Sequence, residues 1–216
     1  MKTIRSLNFA TLPKMNGMPI LIRLDDELET ELKESNIFQE MYERSQAVLM
    51  FVCKANKEYE PWRNAAYLRA GLNEFYSLED AAKRDCKING QQGKPAMIRE
   101  SNNPLVHLMY LLRHVNVHAQ ISNTRIHNTS VISNSGENPE EIEWKAVILD
   151  KPTLEQVHRC NEAKKYYDPV ELEQATKWVD ENQYIFGIGE VFRRGVSAYC
   201  REILQSVNCN LTAQQG

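Results

Sequence analysis

The segment NPLVHLMYLLRHVNVHAQ, residues 103–120, predicts the central helix of the chain. Asn103 is a favourable N-cap and Pro104 suits the first helical turn, so we expect the helix to begin here. At about 100° per residue, one face collects the apolar side chains and the opposite face collects histidines. The expected core face consists of Leu105, Leu108, Met109, Leu112, Val115 and Ala119. The expected opposite face consists of His107, His114 and His118, with Arg113 on its flank.

Composition excludes several classes of protein. A hydrophobic content of 42% supports a sizeable core, and a net charge of −3 excludes a generally basic nucleic-acid binder. No apolar run reaches the roughly 18 residues of a membrane helix, and the first residues lack the apolar part of a secretory signal. We therefore expect a cytoplasmic protein with no membrane contact. The cysteines are odd in number and form no C-x-x-C pair, which is typical of reduced thiols: Cys53, Cys86, Cys160, Cys200 and Cys209.

Hydrophobic periodicity predicts a mainly α protein, a helical bundle with one inserted β-hairpin. β-branched alternation around a polar turn places the strands at 124–133 and 141–150. We interpret the chain as a single domain, 1–216, with an N-terminal extension (1–24), a hairpin insertion (122–150) and a flexible tail (208–216). The other expected helices cover residues 25–35, 37–57, 61–76, 81–86 after a cap at 77–80, 153–166, and the region from Pro169 onward with a kink or break near Gly187.

The loop before the central helix, residues 87–101, carries cations beside the expected histidine face. It is either a plain connection or a segment that holds phosphate, and both interpretations stand at this point. We assign Lys94 and Arg99 in this loop as candidate RNA contacts, together with Arg69 on the preceding helix.

The spacing of the histidines leaves a metal site open as an alternative. His114 and His118 are related as i and i+4 and can point at one ion, with His107 or a distant acid as a third ligand. Val115 occupies the position of the general base of an H-E-x-x-H protease, which excludes that class. The sequence also has no G-x-S-x-G, P-loop or G-x-G-x-x-G motif.

Metal-free RNA cleavage suits the residues of this helix best. Histidine, with a free pKa of about 6.5, can transfer a proton near neutral pH, and arginine can hold a phosphate through two hydrogen bonds as charge develops. Arg113 and His118 supply these two groups, but five residues separate their directions by about 140° on an ideal helix. Two copies of the helix across a twofold axis can bring them together, which predicts a homodimer.

The segment Arg113-His-Val-Asn-Val-His118 resembles the R-x4-H signature of the HEPN superfamily of all-α proteins. The preceding LVHLMYLLR resembles the apolar run before that signature, and AAYLRAGLNEFYSLEDA, residues 65–81, is similar to an upstream HEPN helix pair. The resemblance covers roughly residues 37–120 and extends to the C-terminal helices. The hairpin reads as an insertion in this framework.

The resemblance implies a metal-independent endoribonuclease that acts as a dimer and leaves 2′,3′-cyclic phosphates. His118 would be the acid/base and Arg113 the phosphate clamp. His114, which matches the residue that commonly follows the arginine, would be the third catalytic residue. We interpret Asn116 as a buried orienting residue and His107 as a surface or interface histidine that supports the site. No metal or cofactor is expected.

The same resemblance implies a toxin or phage-defence setting, with an antitoxin or regulatory partner. Toxins of the family that are neutralised by nucleotide transfer carry a tyrosine where this chain has Gln120, so that form of control does not fit. The alternative function is a non-catalytic HEPN-like interaction or scaffold protein, which predicts an apolar surface patch in place of a polar cleft.

Overall fold

Helices account for most of the chain in the computed structural model, which describes residues 9–12, 15, 22–91, 94–119, 124–133 and 140–212. Strands β1 (Thr124–Ser133) and β2 (Glu140–Leu149) form an antiparallel hairpin that follows the fourth helix. The expectation of a mainly α fold with an inserted β-hairpin is confirmed. The helices are α1 (Asp26–Glu34), α2 (Gln39–Lys57), α3 (Pro61–Ile88), α4 (Pro104–Ala119), α5 (Lys151–Arg159), α6 (Asn161–Tyr166) and α7 (Pro169–Thr212), with 3-10 turns at Phe9–Thr11 and Ile98–Glu100.

The pair formed by α2 and α3 is stabilised by a cap that one helix provides for the other. The N-cap residue of α2 is Phe38, whose side chain has no oxygen to accept from the first turn. The buried carboxylate of Asp85, near the end of α3, accepts the backbone N–H of Met41 at 2.9 Å and of Glu40 at 3.3 Å. Asp85 thus takes the part that a serine or aspartate usually plays at a helix start.

Helix α3 runs without interruption over 28 residues, so the expected break at 77–80 is wrong. The Ser77 hydroxyl donates to the carbonyl of Asn73, one turn earlier in the same helix, and does not cap a new one. Leu78, Ala81 and Ala82 are fully buried and continue the apolar face. Tertiary burial therefore overrides the local capping pattern.

The hairpin is attached to the helices at its base, where Thr124 lies opposite Leu149. The side-chain amide of the buried Gln183 donates to the carbonyl of Leu149 and accepts its backbone N–H, both at 2.9 Å. This amide satisfies the β2 backbone groups that no further strand pairs with. On the other side, the Thr124 hydroxyl donates to the carbonyl of Pro61 at 2.9 Å and links β1 to the start of α3.

Helix α7 begins where the sequence predicts and kinks at Gly187. Asp168 accepts the backbone N–H of Val170 at 2.8 Å, as expected for an N-cap before Pro169. Gly187 has φ 76° and ψ 157°, a conformation that is accessible almost only to glycine. The kink brings the helix against β2, since a Cβ on Gly187 would lie 3.6 Å from Ala146.

Two glycine substitutions are expected to change stability in opposite directions. Gly187→Ala should lower the free energy of unfolding by about 1–3 kcal/mol, because alanine is strained at a positive φ with an extended ψ. Gly71→Ala, inside α3, should be neutral or raise it by up to about 1 kcal/mol, since a Cβ there meets its neighbours at 3.6 Å or more. Urea unfolding of both variants checks this. A Gly187→Ala protein as stable as wild type would show that α7 straightens without cost.

One other helix differs from its expected bounds. The helix expected over 153–166 is split at Cys160, whose backbone is extended (φ −64°, ψ 125°) and separates α5 from α6. Helix α7 continues to Thr212, within the segment 208–216 for which flexibility stays a prediction. In the N-terminal extension, the side chains of Phe9, Leu12 and Met15 are buried in the core. None of the described helices has the length and apolar character that a membrane crossing requires.

Candidate active site at the end of α4

The surroundings of α4 restrict where a site can lie on it. Every side chain from Leu105 to Leu112 is buried, because α4 packs against α3, α5, α6 and α7. After the buried run to Leu112, the side chains of Arg113 and His114 are half-buried, and Val115 is buried again. The candidate site is therefore confined to the last turns of α4, before the hairpin.

His107 does not lie on an exposed face, so its interpretation as a surface or interface residue is wrong. It is 1% exposed and is held between two polar groups of the core. Its Nε2–H donates to the carbonyl of Ser101 at 2.6 Å, which leaves Nδ1 to pair with the Tyr167 hydroxyl at 2.5 Å. The histidine is buried because neighbours cover both sides of α4, and these two bonds satisfy its ring.

Aromatic and cationic side chains contact one another around Arg113 and His114. We call this group the α4 cluster: Tyr76, Arg99, Tyr110, Arg113 and His114. The Arg113 guanidinium lies 5.4 Å from the ring centre of Tyr76, within cation–π range. The Tyr110 and His114 rings meet edge to face at 4.4 Å, and the Tyr76 and Tyr110 rings are stacked at 6.3 Å.

Arg113 brings a buried polar atom to this cluster. Its Nε is buried and has no hydrogen-bond partner among the residues that the structure describes. A buried N–H without a partner costs about 1–3 kcal/mol, and an incoming acceptor would remove that cost. The arginine is thus placed to accept an anion beside the aromatic rings.

The three residues expected to contact RNA differ in their positions relative to the α4 cluster. Arg99 joins the α4 cluster by donating from Nε to the Tyr110 hydroxyl at 2.9 Å. Arg69 is half-buried on α3, seven residues before Tyr76 and so on the same face of that helix. Glu79 bonds to Ile98 before α4, whereas Tyr76 contacts Arg113 further along α4, so we infer that Arg69 lies toward the C-terminal end of α4. Lys94 is exposed and lies 3.9 Å from the Glu100 carboxylate.

His118 and Asn116 lie in the last turns of the α4 backbone, but their side chains are outside the described part of the structure. Their expected roles as acid/base and buried orienter therefore stay predictions. Among the described side chains, no group of three or more histidine, cysteine, aspartate or glutamate residues is arranged to hold a metal ion.

A second charged cluster lies at the other end of α4, next to Leu105. Arg193, Arg194 and Arg201 line a cavity of about 290 Å³ with Asp25. Glu190 pairs with Arg193 at 2.7 Å and Arg194 at 2.8 Å, and Asp25 pairs with Arg193 at 2.7 Å and Arg201 at 2.6 Å. The carboxylates of Asp25 and Glu190 neutralise much of the positive charge of the arginines. We therefore interpret this cluster as a structural link between α7 and the segment before α1.

The ion pairs of this second cluster predict that the fold becomes less stable in acid. Burial works to raise the pKa of Glu190, but hydrogen bonds from Arg193 and Arg194 outweigh it and hold the pKa below its usual value. Burial likewise opposes a net lowering of the pKa of Asp25 by Arg193 and Arg201. Groups with lowered folded-state pKa values stabilise the fold above their unfolded pKa, about 4, and lose that contribution as pH falls further. Urea unfolding from pH 6 to pH 3 should show the loss below about pH 4.

Glu190→Gln supplies the control for this pH series. The variant should start less stable than wild type and lose less between neutral and acid pH, because one of the titrating groups is gone. An identical decline in both proteins would assign the acid sensitivity to other carboxylates.

Sequence reasoning missed the two tyrosines of the α4 cluster. Tyr110 stands four residues before His114, a spacing at which helical side chains meet, so this pair was visible in the sequence. Tyr76 comes from α3, and no local pattern connects it to Arg113.

Comparisons with models of protein families, with curated proteins and with solved structures found no match to this chain.

Proposed function

We propose that this chain is a metal-independent endoribonuclease of the HEPN type that acts as a homodimer. In this proposal Arg113 holds the scissile phosphate, and His118 transfers protons between the 2′-hydroxyl and the leaving oxygen. His114 keeps the aromatic wall in place through its contact with Tyr110. Arg69 and Arg99 hold neighbouring phosphates.

The observation that carries the proposal is the environment of Arg113. Its guanidinium rests on the Tyr76 ring at 5.4 Å, and its Nε lacks a partner among the described residues. An arginine fixed by a ring and short of an acceptor suits a phosphate, which accepts two hydrogen bonds from one guanidinium. The position of His118 one and a half turns later adds a proton-transfer group at the same helix end.

The homodimer follows from the direction of these side chains. On one helix, Arg113 and His118 point about 140° apart, and a single phosphate cannot contact both. Arg113 and His114 are half-buried, and in this proposal the second copy approaches α4 at these residues. In the dimer, Arg113 of one protomer and His118 of the other share a phosphate.

The resemblance to HEPN proteins supports the biological part of the proposal. We propose a cytoplasmic toxin or phage-defence effector whose activity an antitoxin or other regulatory partner restrains. Cys53, Cys86, Cys160 and Cys200 are free thiols, which agrees with a reducing compartment.

Cleavage of mixed RNA in the presence of EDTA tests the reaction. We expect EDTA-resistant cleavage, with fragments that end in 2′,3′-cyclic phosphates, because an attacking 2′-hydroxyl closes that ring. Activity abolished by EDTA would move the histidines to a metal site. No cleavage by the folded protein would favour the interaction module.

Mixing two inactive variants tests the shared site. Arg113→Ala and His118→Ala should each be inactive alone, whereas their mixture should form heterodimers that join an intact arginine to an intact histidine. We expect the mixture to cleave faster than either variant. A mixture as inactive as its components would show that both residues must come from one chain.

A further inference from the structure

A second recess lies between the helices and the hairpin, and we call it the hairpin pocket. It has a volume of about 270 Å³ and is formed where α2 ends and where β1 and β2 approach the loop before α3. This volume is near the lower end for small-ligand sites, about 300 Å³, and suits one nucleobase. Its lining consists of Asn56, Lys57, Glu58, Tyr59, Ile126, Lys145 and Val147.

The walls of the hairpin pocket combine an aromatic ring with cations. Tyr59 is 69% exposed, an unusual state for a tyrosine, and the Lys145 Nζ lies 4.8 Å from its ring centre. Lys57 is a second exposed cation in the lining, while Ile126 and Val147 supply apolar surface. Aromatic rings beside positive charge are the usual means of holding single-stranded nucleic acid.

Asn56 adds a polar atom that could bond to a ligand. Its Oδ1 is buried and has no hydrogen-bond partner among the described residues. The side-chain amide of asparagine can bond to the polar edge of a base, and such a bond would satisfy this oxygen.

The acidic residue of the lining does not oppose an anionic strand. The Glu58 carboxylate accepts the backbone N–H of Tyr59 at 3.0 Å and of Glu60 at 3.3 Å, and it pairs with Arg63 at 3.5 Å. Its charge is therefore used within the loop, and Lys57 and Lys145 determine the sign of the charge at the pocket.

A further exposed aromatic residue continues the surface. Trp62, in the first turn of α3, is 62% exposed, and the Arg63 guanidinium lies 5.1 Å from its ring centre. Tyr59 and Trp62 thus form two stacking surfaces, each with a cation beside it.

We propose that the hairpin pocket binds one unstacked base of single-stranded RNA on Tyr59, and that Trp62 stacks a neighbouring base. The inference rests on the proposed function, and it names single strands as the substrate class because a base within a duplex cannot enter a pocket. The Thr124 hydroxyl donates to the carbonyl of Pro61, so the base of the hairpin adjoins the loop that carries Tyr59. In this proposal the bound strand runs from the pocket toward the end of α4. In this proposal the hairpin contributes to RNA binding, because its strands complete the pocket.

Binding of a fluorescein-labelled RNA with 2′-O-methyl groups tests the inference on the intact protein. Such RNA has no 2′-hydroxyl nucleophile, so binding is measured without cleavage. We expect the single strand to bind and the same strand annealed to its complement to bind at least about tenfold more weakly. Tyr59→Ala should weaken single-strand binding about tenfold or more, and Tyr59→Trp should restore it, because tryptophan also stacks.

Tyr184→Ala is the matched control, since Tyr184 is 42% exposed and is not part of the pocket lining. It should bind RNA as wild type does. Unchanged binding by Tyr59→Ala, or equal binding of duplex and single strand, would overturn the inference. Intact Tyr59-dependent binding without cleavage of unmodified RNA would reject the nuclease and keep the pocket, so the two proposals fail separately.

Discussion

His118→Ala should slow RNA cleavage by about 10²- to 10⁴-fold, the usual contribution of general acid–base catalysis. The imidazole of His118 can both accept and donate a proton near neutral pH. Alanine keeps the α4 backbone, so RNA binding through Arg113 and the aromatic residues should change little. Initial rates under single-turnover conditions, with binding measured separately on 2′-O-methyl RNA, resolve the two effects.

His158→Ala is the control for this prediction. His158 is half-buried on α5, where its Nε2 lies 3.2 Å from the Thr176 hydroxyl, and it has no place in the proposed site. Its replacement should leave the cleavage rate close to that of wild type. A His118→Ala protein that cleaves at the wild-type rate would remove His118 from the mechanism.

His107→Ala should lower the free energy of unfolding by about 4 kcal/mol, from the cavity and from the two polar groups that lose their partner. The carbonyl of Ser101 and the hydroxyl of Tyr167 would both lose the ring that now joins them at 2.6 and 2.5 Å. Since whole domains are stable by about 5–15 kcal/mol, the variant should be close to unfolding at growth temperature. Urea unfolding at low temperature measures the difference.

Tyr167→Phe separates the two bonds of His107. It keeps the ring of residue 167 and removes only its hydroxyl, so the expected loss is about 2 kcal/mol. Wild-type stability in His107→Ala would mean that the core closes over the missing ring. Loss of cleavage by His107→Ala while it remains folded would return His107 to the active site, against its buried position.

The sequence predicted the start and extent of α4 well, but it did not predict which elements pack around the helix. Asn103 and Pro104 mark the start of the helix because capping chemistry is local: the Asn103 side chain accepts the backbone N–H of Leu105 at 3.0 Å. The wheel divided the helix into a buried and an exposed face, and it failed at His107 because several helices cover α4. Long-range packing decides which elements cover a helix. The sequence of the helix alone does not predict that packing.

The same distinction applies to the hairpin and the candidate sites. The strands were predicted to within about a residue because alternation and turn residues are local signals. The Gln183 amide that holds Leu149 comes from 34 positions away. Arg113 and His114 could be assigned from the helix itself, whereas Tyr76 and the lining of the hairpin pocket are brought in by other elements. Their contribution emerges only in three dimensions.

The cap that Asp85 provides for α2 has a consequence for how the chain folds. The bond joins residues 44 positions apart, so the first turn of α2 gains its acceptor only after the far end of α3 has returned alongside it. Without α3, the first turn of α2 would lose the acceptor of these backbone N–H groups. The segment from Gln39 to Ile88 should therefore form as one cooperative unit, onto which α4, the hairpin and α7 later assemble.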